Sequence, residues 1–185
     1  MTGLLTDLPR KNCDTIAAAV AGTTTERLQH LLTDADWDPL ALDEARVRQL
    51  VAGSPAGGLL VLDDTGLPKQ GTASVGVARQ YTGTLGKVAN CQVVVSAEYV
   101  EDAPATSTPR HWPVSAQLYL PQTWVGDAAA ARRARARVPD AVAFQTKPAI
   151  ALGVVDRARA WGVPFRYVVA DAGYGEVPRF LAGLE

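Results

Sequence analysis

Apolar residues change their spacing at the stretch GSPAGG, residues 53–58. Before it they recur at helical intervals, and after it they alternate or run together as in strands. Thr23 followed by Glu26 predicts a capping box, with Leu28, Leu31 and Leu32 on one face of the turns that follow. A second helix is predicted from Asp38 as N-cap and Pro39 at the first helical position, through Val47, Leu50 and Val51, to a stop at Gly53. Residues 1–53 thus read as a small helical region joined by a glycine-rich linker to residues 58–185.

Downstream, LLVLD (59–63) has the form of a buried strand, TASVGVARQYTG (72–83) alternates, CQVVVSAEYV (91–100) is rich in valine, and PVSAQLYLP (113–121) alternates again. The stretches TGLPKQG, TGTLGKVAN and EDAPATSTPRHW are the predicted turns between them. Two helices follow: GDAAAARRARARVPD from Asp127 to Pro139, and TKPAIALGVVDRARAWGVP from Thr146 to Gly162. FRYVVADAGYG (165–175) is the last strand. Antiparallel-looking strands followed by a helix and a further strand predict one mixed α/β sheet with helices packed on it.

Composition narrows the class. With 185 residues, 48% of them hydrophobic, the chain can bury one domain's core, with room for a small appendage. No apolar run is long enough to cross a bilayer, and MTGLLTDLPRKNC lacks the basic-then-apolar order of a secretory signal, so a cytoplasmic protein without membrane partners is expected. Cys13 and Cys91 lie far apart and, with His30 and His111, offer no zinc spacing; they read as reduced packing residues. The net charge of -1 hides an asymmetry: residues 1–64 carry five basic and ten acidic side chains, residues 127–159 seven basic and three acidic. That permits a nucleic-acid partner without requiring one. GTLG (83–86) lacks the third glycine and the following helix of a dinucleotide loop, and the four tryptophans are too scattered for a stacking platform.

The chemistry lies where strands end. LLVLDDTG and YVVADAG each finish an apolar run on an aspartate and reach a glycine shortly after. If these strands are parallel neighbours, Asp63 and Asp171 leave the sheet at one edge, where sites gather beyond the carboxyl ends of strands. Two such carboxylates raise a pKa or recruit a hard cation, magnesium or manganese. Adjacent residues of a strand face opposite sides, so Asp63 and Asp64 cannot share this task; Asp63 is the choice, with Asp64 as a turn former or a support. Aspartates in these places equally cap turns, and that alternative stays open.

The ordered blocks VLDDTGLPKQG, VARQYTGTLGKVANCQVVV, LYLPQTW, FQTKPAIAL and VPFRYVVADAGYG resemble bacterial insertion-sequence transposases of the DDE type, whose catalytic domain is ribonuclease-H-like. The lead-in from Gly3 to Asp38 resembles their N-terminal helical region. The resemblance implies a ribonuclease-H-like mixed sheet with flanking helices over residues 58–185, preceded by the helical region 1–53 and incomplete at its C-terminus. It implies an Asp-Asp-Glu triad holding two divalent ions, Mg2+ or Mn2+, that hydrolyses a DNA strand at the element's end and joins the freed 3'-hydroxyl to target DNA. A bacterial protein is implied, cytoplasmic and on the nucleoid when bound to DNA, with a homodimer as the complete transposase.

Carried over by position, Asp63 and Asp171 are the catalytic, metal-binding aspartates. The third carboxylate is the departure: neither Glu176 nor the final Glu185 sits in a block resembling that motif. The chain therefore reads as a truncated transposase without efficient cleavage of its own, or as a non-catalytic DNA-binding or regulatory product. Lys69, close after the first aspartate, is implied as a DNA contact. Arg132, Arg133, Arg135 and Arg137 form a basic helix surface, Arg133 and Arg137 one turn apart, which either neutralises phosphates or is a solvated face.

Overall fold

The computed structural model describes residues 2–4, 6–104 and 107–185. Residues 1 and 5 of the helical region, and 105 and 106 of the predicted 101–112 turn, lie outside the described residues. The chain divides into two compact units, residues 1–40 and 41–185.

In the first unit, α1 (Cys13–Ala19) begins at a capping box: the Asn12 side chain accepts from the Thr15 N–H while Thr15 Oγ1 accepts from the Asn12 N–H. Helix α2 (Thr25–Thr33) starts one residue later than the Thr23–Glu26 spacing predicts. Thr24 is its cap, accepting from the Arg27 N–H at 3.3 Å. Ile16, Val20 and Leu28 line an apolar cleft within this unit. Helix α3 (Pro39–Val51), which lies in the second unit from Ala41 onward, starts as predicted, with Asp38 Oδ1 accepting from the Leu40 N–H at 2.8 Å. Val47 on it is fully buried, with Leu50 and Val51 packed alongside the same core.

The second unit is built on a five-stranded mixed sheet: β1 (Gly58–Pro68), β2 (Ala78–Thr82), β3 (Lys87–Val100), β4 (His111–Tyr119) and β5 (Phe165–Val169). Strand β3 is the hub. It pairs antiparallel with β1 along one edge, and with β2 and then β4 along the other. Strand β5 lies parallel to β1 on the side away from β3. The result is the expected ribonuclease-H-like mixed sheet with flanking helices. Helix α5 (Lys147–Ala160) lies against β4, β3 and β1 and sinks Ile150, Ala151, Val154, Val155 and Ala158 into a core with Leu60, Leu62, Val95, Ala97 and Tyr99. Thr146 caps it by accepting from the Ala149 N–H, and Gly162 leaves it at a φ of 78°.

Three elements differ from the pattern-based expectation. Strand β2 covers only the second half of the alternating stretch, because residues 72–77 are tied down as a loop: Gln92 Nε2 donates to the Val75 carbonyl and Trp124 Nε1 to the Val77 carbonyl. The Ala/Arg-rich helix is short, with α4 running only over Ala130–Arg135 after one 3-10 turn. The last strand, expected over 165–175, ends at Val169 because Asp171 caps a helical turn, and the chain goes on as α6 (Ala172–Gly175) and α7 (Pro178–Leu184), where the buried Phe180 completes the core beside Tyr174. Among the described residues no helix is long and apolar enough to cross a membrane, and Cys13 and Cys91 are free thiols.

Candidate active site

The β1–β5 register explains why two acids meet. Leu60 pairs with Val168 and Val61 with Val169, so each further step carries Leu62 toward Ala170 and Asp63 toward Asp171 at one rim of the sheet. The end of β1 is fixed from above. Thr82 and Thr84 hydroxyls both donate to the Gly66 carbonyl, at 3.2 and 2.9 Å. A Cβ on Gly66 would stand 2.2 Å from Thr82 Oγ1, so only glycine fits.

Alternation then separates the aspartate doublet. Leu60 and Leu62 face the core, which places Asp64 on the core side opposite Val95, and Asp63 on the other side opposite Ser96. Asp63 is exposed, and its Oδ1 accepts the N–H of Asp64 at 2.8 Å. Asp64 is half-buried and shares a cavity of about 220 Å³ with Lys147, Pro148, Asp171, Gly173 and Tyr174. The structure thus brings Asp63 and Asp171 to one rim by register, and brings Asp64 and Asp171 into one cavity by side-chain direction.

Each cavity residue has a local cause. Asp171 is the N-cap of α6, its Oδ1 accepting from the Tyr174 N–H at 3.2 Å, which turns the carboxylate back over the strand end. Lys147, at the first position of α5, reaches Asp64 Oδ2 with its Nζ at 2.8 Å. Tyr174 is buried, and its hydroxyl has no hydrogen-bond partner among the described residues. Burial, and then the charges of Asp64, Asp171 and Asp63, push this phenol far above its ordinary range, so it keeps its proton.

The donor set suits a hard divalent ion. Asp64 and Asp171 supply carboxylate oxygens in one cavity, hard ligands of the kind such an ion takes. Among the described residues no three of His, Cys, Asp and Glu converge, so this chain brings two carboxylates, not a full ligand set.

The basic residues divide into solvated and braced groups. The side chain of Lys69 is exposed, while its backbone is clamped: its N–H donates to the Asn90 carbonyl and its own carbonyl accepts from Asn90 Nδ2, both at 2.9 Å. Arg133 donates to the carbonyls of Trp124, Pro139 and Val142. Arg132 lies over the Trp124 ring at 3.7 Å and donates to the Thr72 and Val77 carbonyls. Arg137 is exposed beyond the end of α4, with a φ of 53°. Arg133 and Arg137 therefore do not stand one turn apart on a helix. The helix stops at Arg135 before Pro139, and the expected basic face is half a set of internal braces.

Lys147, Tyr174 and the inward placement of Asp64 were not assigned from sequence. The ordered blocks contain all three, in FQTKPAIAL, VADAGYG and VLDDTG, and a lysine at a helix start was the available signal. The sequence model of the DDE superfamily endonucleases matches residues 1–185. The chain belongs to this family. Over 177 residues it is 31% identical to the probable transposase for insertion sequence element IS701 of Microchaete diplosiphon, a match covering 94% of this chain and 41% of that protein. This DDE endonuclease family member thus spans less than half the length of the relative it matches. No solved structure matches it.

Proposed function

We propose that this chain is part of the catalytic region of a DNA transposase that cleaves and transfers strands of an insertion sequence with the help of divalent ions. Residues 58–185 form its ribonuclease-H-like portion and residues 1–53 its N-terminal helical region. The observation that carries this is the parallel pairing of β1 and β5, which gathers the Asp63–Asp64 doublet and Asp171 at one rim. Asp63 and Asp171 are the proposed catalytic ligands by motif, and Asp64 is the doublet member that shares a cavity with Asp171 and Lys147. When bound, Mg2+ or Mn2+ activates an attacking oxygen and stabilises a leaving one in phosphodiester chemistry. Tyr174 backs the cavity wall with its buried ring, which packs on Phe180. Lys69 and Arg137 hold solvated cations for DNA phosphates at the element's ends and in the target, and Arg133 serves that surface by bracing the 139–142 turn beside Arg137. A homodimer is the assembly proposed for the complete transposase.

A second reading is supported by the incomplete ligand set among the described residues: a chain that binds DNA or a full-length transposase as a regulator, without cutting. Both readings retain a two-carboxylate ion site, and that site is directly testable. With Fe2+ and peroxide, backbone scission should concentrate near residues 63–64 and 171 and be suppressed by Mg2+. Scission scattered along the chain, indifferent to Mg2+, would leave the aspartates as turn caps and end the metal reading.

A further inference from the structure

We propose that Lys147 is a built-in counter-cation of the acid cavity, held on Asp64 until a divalent ion displaces it. This deepens the ion-site reading above and rests on it. The ammonium lies 2.8 Å from Asp64 Oδ2 inside the cavity that also holds Asp171. Both side chains are about one-third exposed, 32% and 30%, so solvent screens the pair incompletely. Without a cation between them, two carboxylates facing one small cavity repel each other.

The position of Lys147 is poorly explained by its helix. It is the first residue of a 14-residue helix, the end at which a positive charge is disfavoured, whereas the same helix carries Arg157 and Arg159 in its last turn, where cations are favoured. The counterweight is the carboxylate across the cavity. The residue type also suits exchange: a lysine is a point charge on a flexible stem, without the two-pronged grip of an arginine on a carboxylate. The Tyr119 ring, with its centroid 5.9 Å from Nζ, offers the displaced ammonium an aromatic face on the same side.

A resident cation competes with an incoming one, so its removal should tighten ion binding. Mn2+ titration followed by electron paramagnetic resonance on the full chain provides the test. Lys147→Met, which keeps the stem's packing, should bind Mn2+ about tenfold more tightly than the unaltered protein, and Lys147→Arg should not. Adding Asp171→Asn to Lys147→Met should abolish the gain. Equal or weaker Mn2+ binding by Lys147→Met, with binding still dependent on Asp171, overturns the counter-cation role and leaves the ion site standing. Absence of Asp171-dependent binding in both proteins overturns both. A lysine that merely packs would lower the melting temperature in Lys147→Met without changing the affinity for Mn2+, which is likewise contrary to the proposal.

Discussion

Asp171→Asn is expected to lower Mn2+ affinity about a hundredfold while leaving the melting temperature nearly unchanged. Two tasks meet on this side chain, and the substitution separates them. As the N-cap of α6 it accepts the Tyr174 N–H, and asparagine caps as well as aspartate does. As a carboxylate in the cavity with Asp64 it supplies charge, which asparagine lacks. Asp171→Ala removes both, and should add a stability loss of about 1 kcal/mol to the loss of ion binding. If turn capping were the residue's only role, Asp171→Asn would be silent in both measurements, so a normal Mn2+ titration for that variant would sink the ion site.

The second large effect is expected at Gly66, through packing and not through charge. A Cβ there would lie 2.2 Å from Thr82 Oγ1, 2.5 Å from Thr82 Cβ and 2.9 Å from its Cα. The last is backbone and cannot swing aside, so either β2 withdraws or the end of β1 shifts, and the Thr82 and Thr84 hydrogen bonds to the Gly66 carbonyl are strained in either case. Gly66→Ala should cost about 3 kcal/mol, combining overpacking with weakened hydrogen bonds. In a unit of this size that corresponds to a melting temperature about 10 °C lower. Gly83 in the same hairpin is the control: an added Cβ there meets nothing within 4 Å, and Gly83→Ala should melt near the unaltered protein. A Gly66→Ala protein as stable as Gly83→Ala would show that the strand end is softer than this packing implies.

Much of the architecture is visible in residue pattern because local rules decide it. Asp38 and Pro39 mark the start of α3, Thr146 and Gly162 bound α5, and the valine-rich 91–100 stretch becomes the hub strand β3. The failures come where distant contacts override local preference. The stretch 72–77 alternates as a strand should, yet Gln92, Trp124 and Arg132 from three other segments capture its carbonyls and hold it as a loop. The arginine run reads as a phosphate-neutralising or solvated face because nothing in its own sequence reveals that Arg132 and Arg133 find five carbonyls elsewhere. Helix α7 was not assigned, since seven residues with a single buried aromatic give too weak a period.

The site divides along the same line. Parallel pairing of the two acid-tipped strands is only a condition in the sequence; the fold meets it, and the register carries Asp63 and Asp171 toward a common rim. The choice within the doublet does not follow, because it depends on which face α5 covers. That helix covers the Leu60 and Leu62 side, and so it is Asp64 that meets Lys147. For Lys147 only the fold shows the acid that meets it, 83 positions earlier in the chain.

The wide separation of β1 and β5 along the chain also sets an order of assembly. Strands β1, β3 and β4 follow one another closely, whereas β5 arrives roughly a hundred residues after β1, and closing so long a loop is the slower event. During synthesis the β1–β3–β4 meander can form while Asp171 is still absent, leaving the doublet alone on a solvent-facing border. In pulsed hydrogen exchange the amides of β3 should gain protection before those of β5, and simultaneous protection would contradict this order. The nascent protein would thereby lack the Asp171 carboxylate of the proposed ion site until β5 has been made.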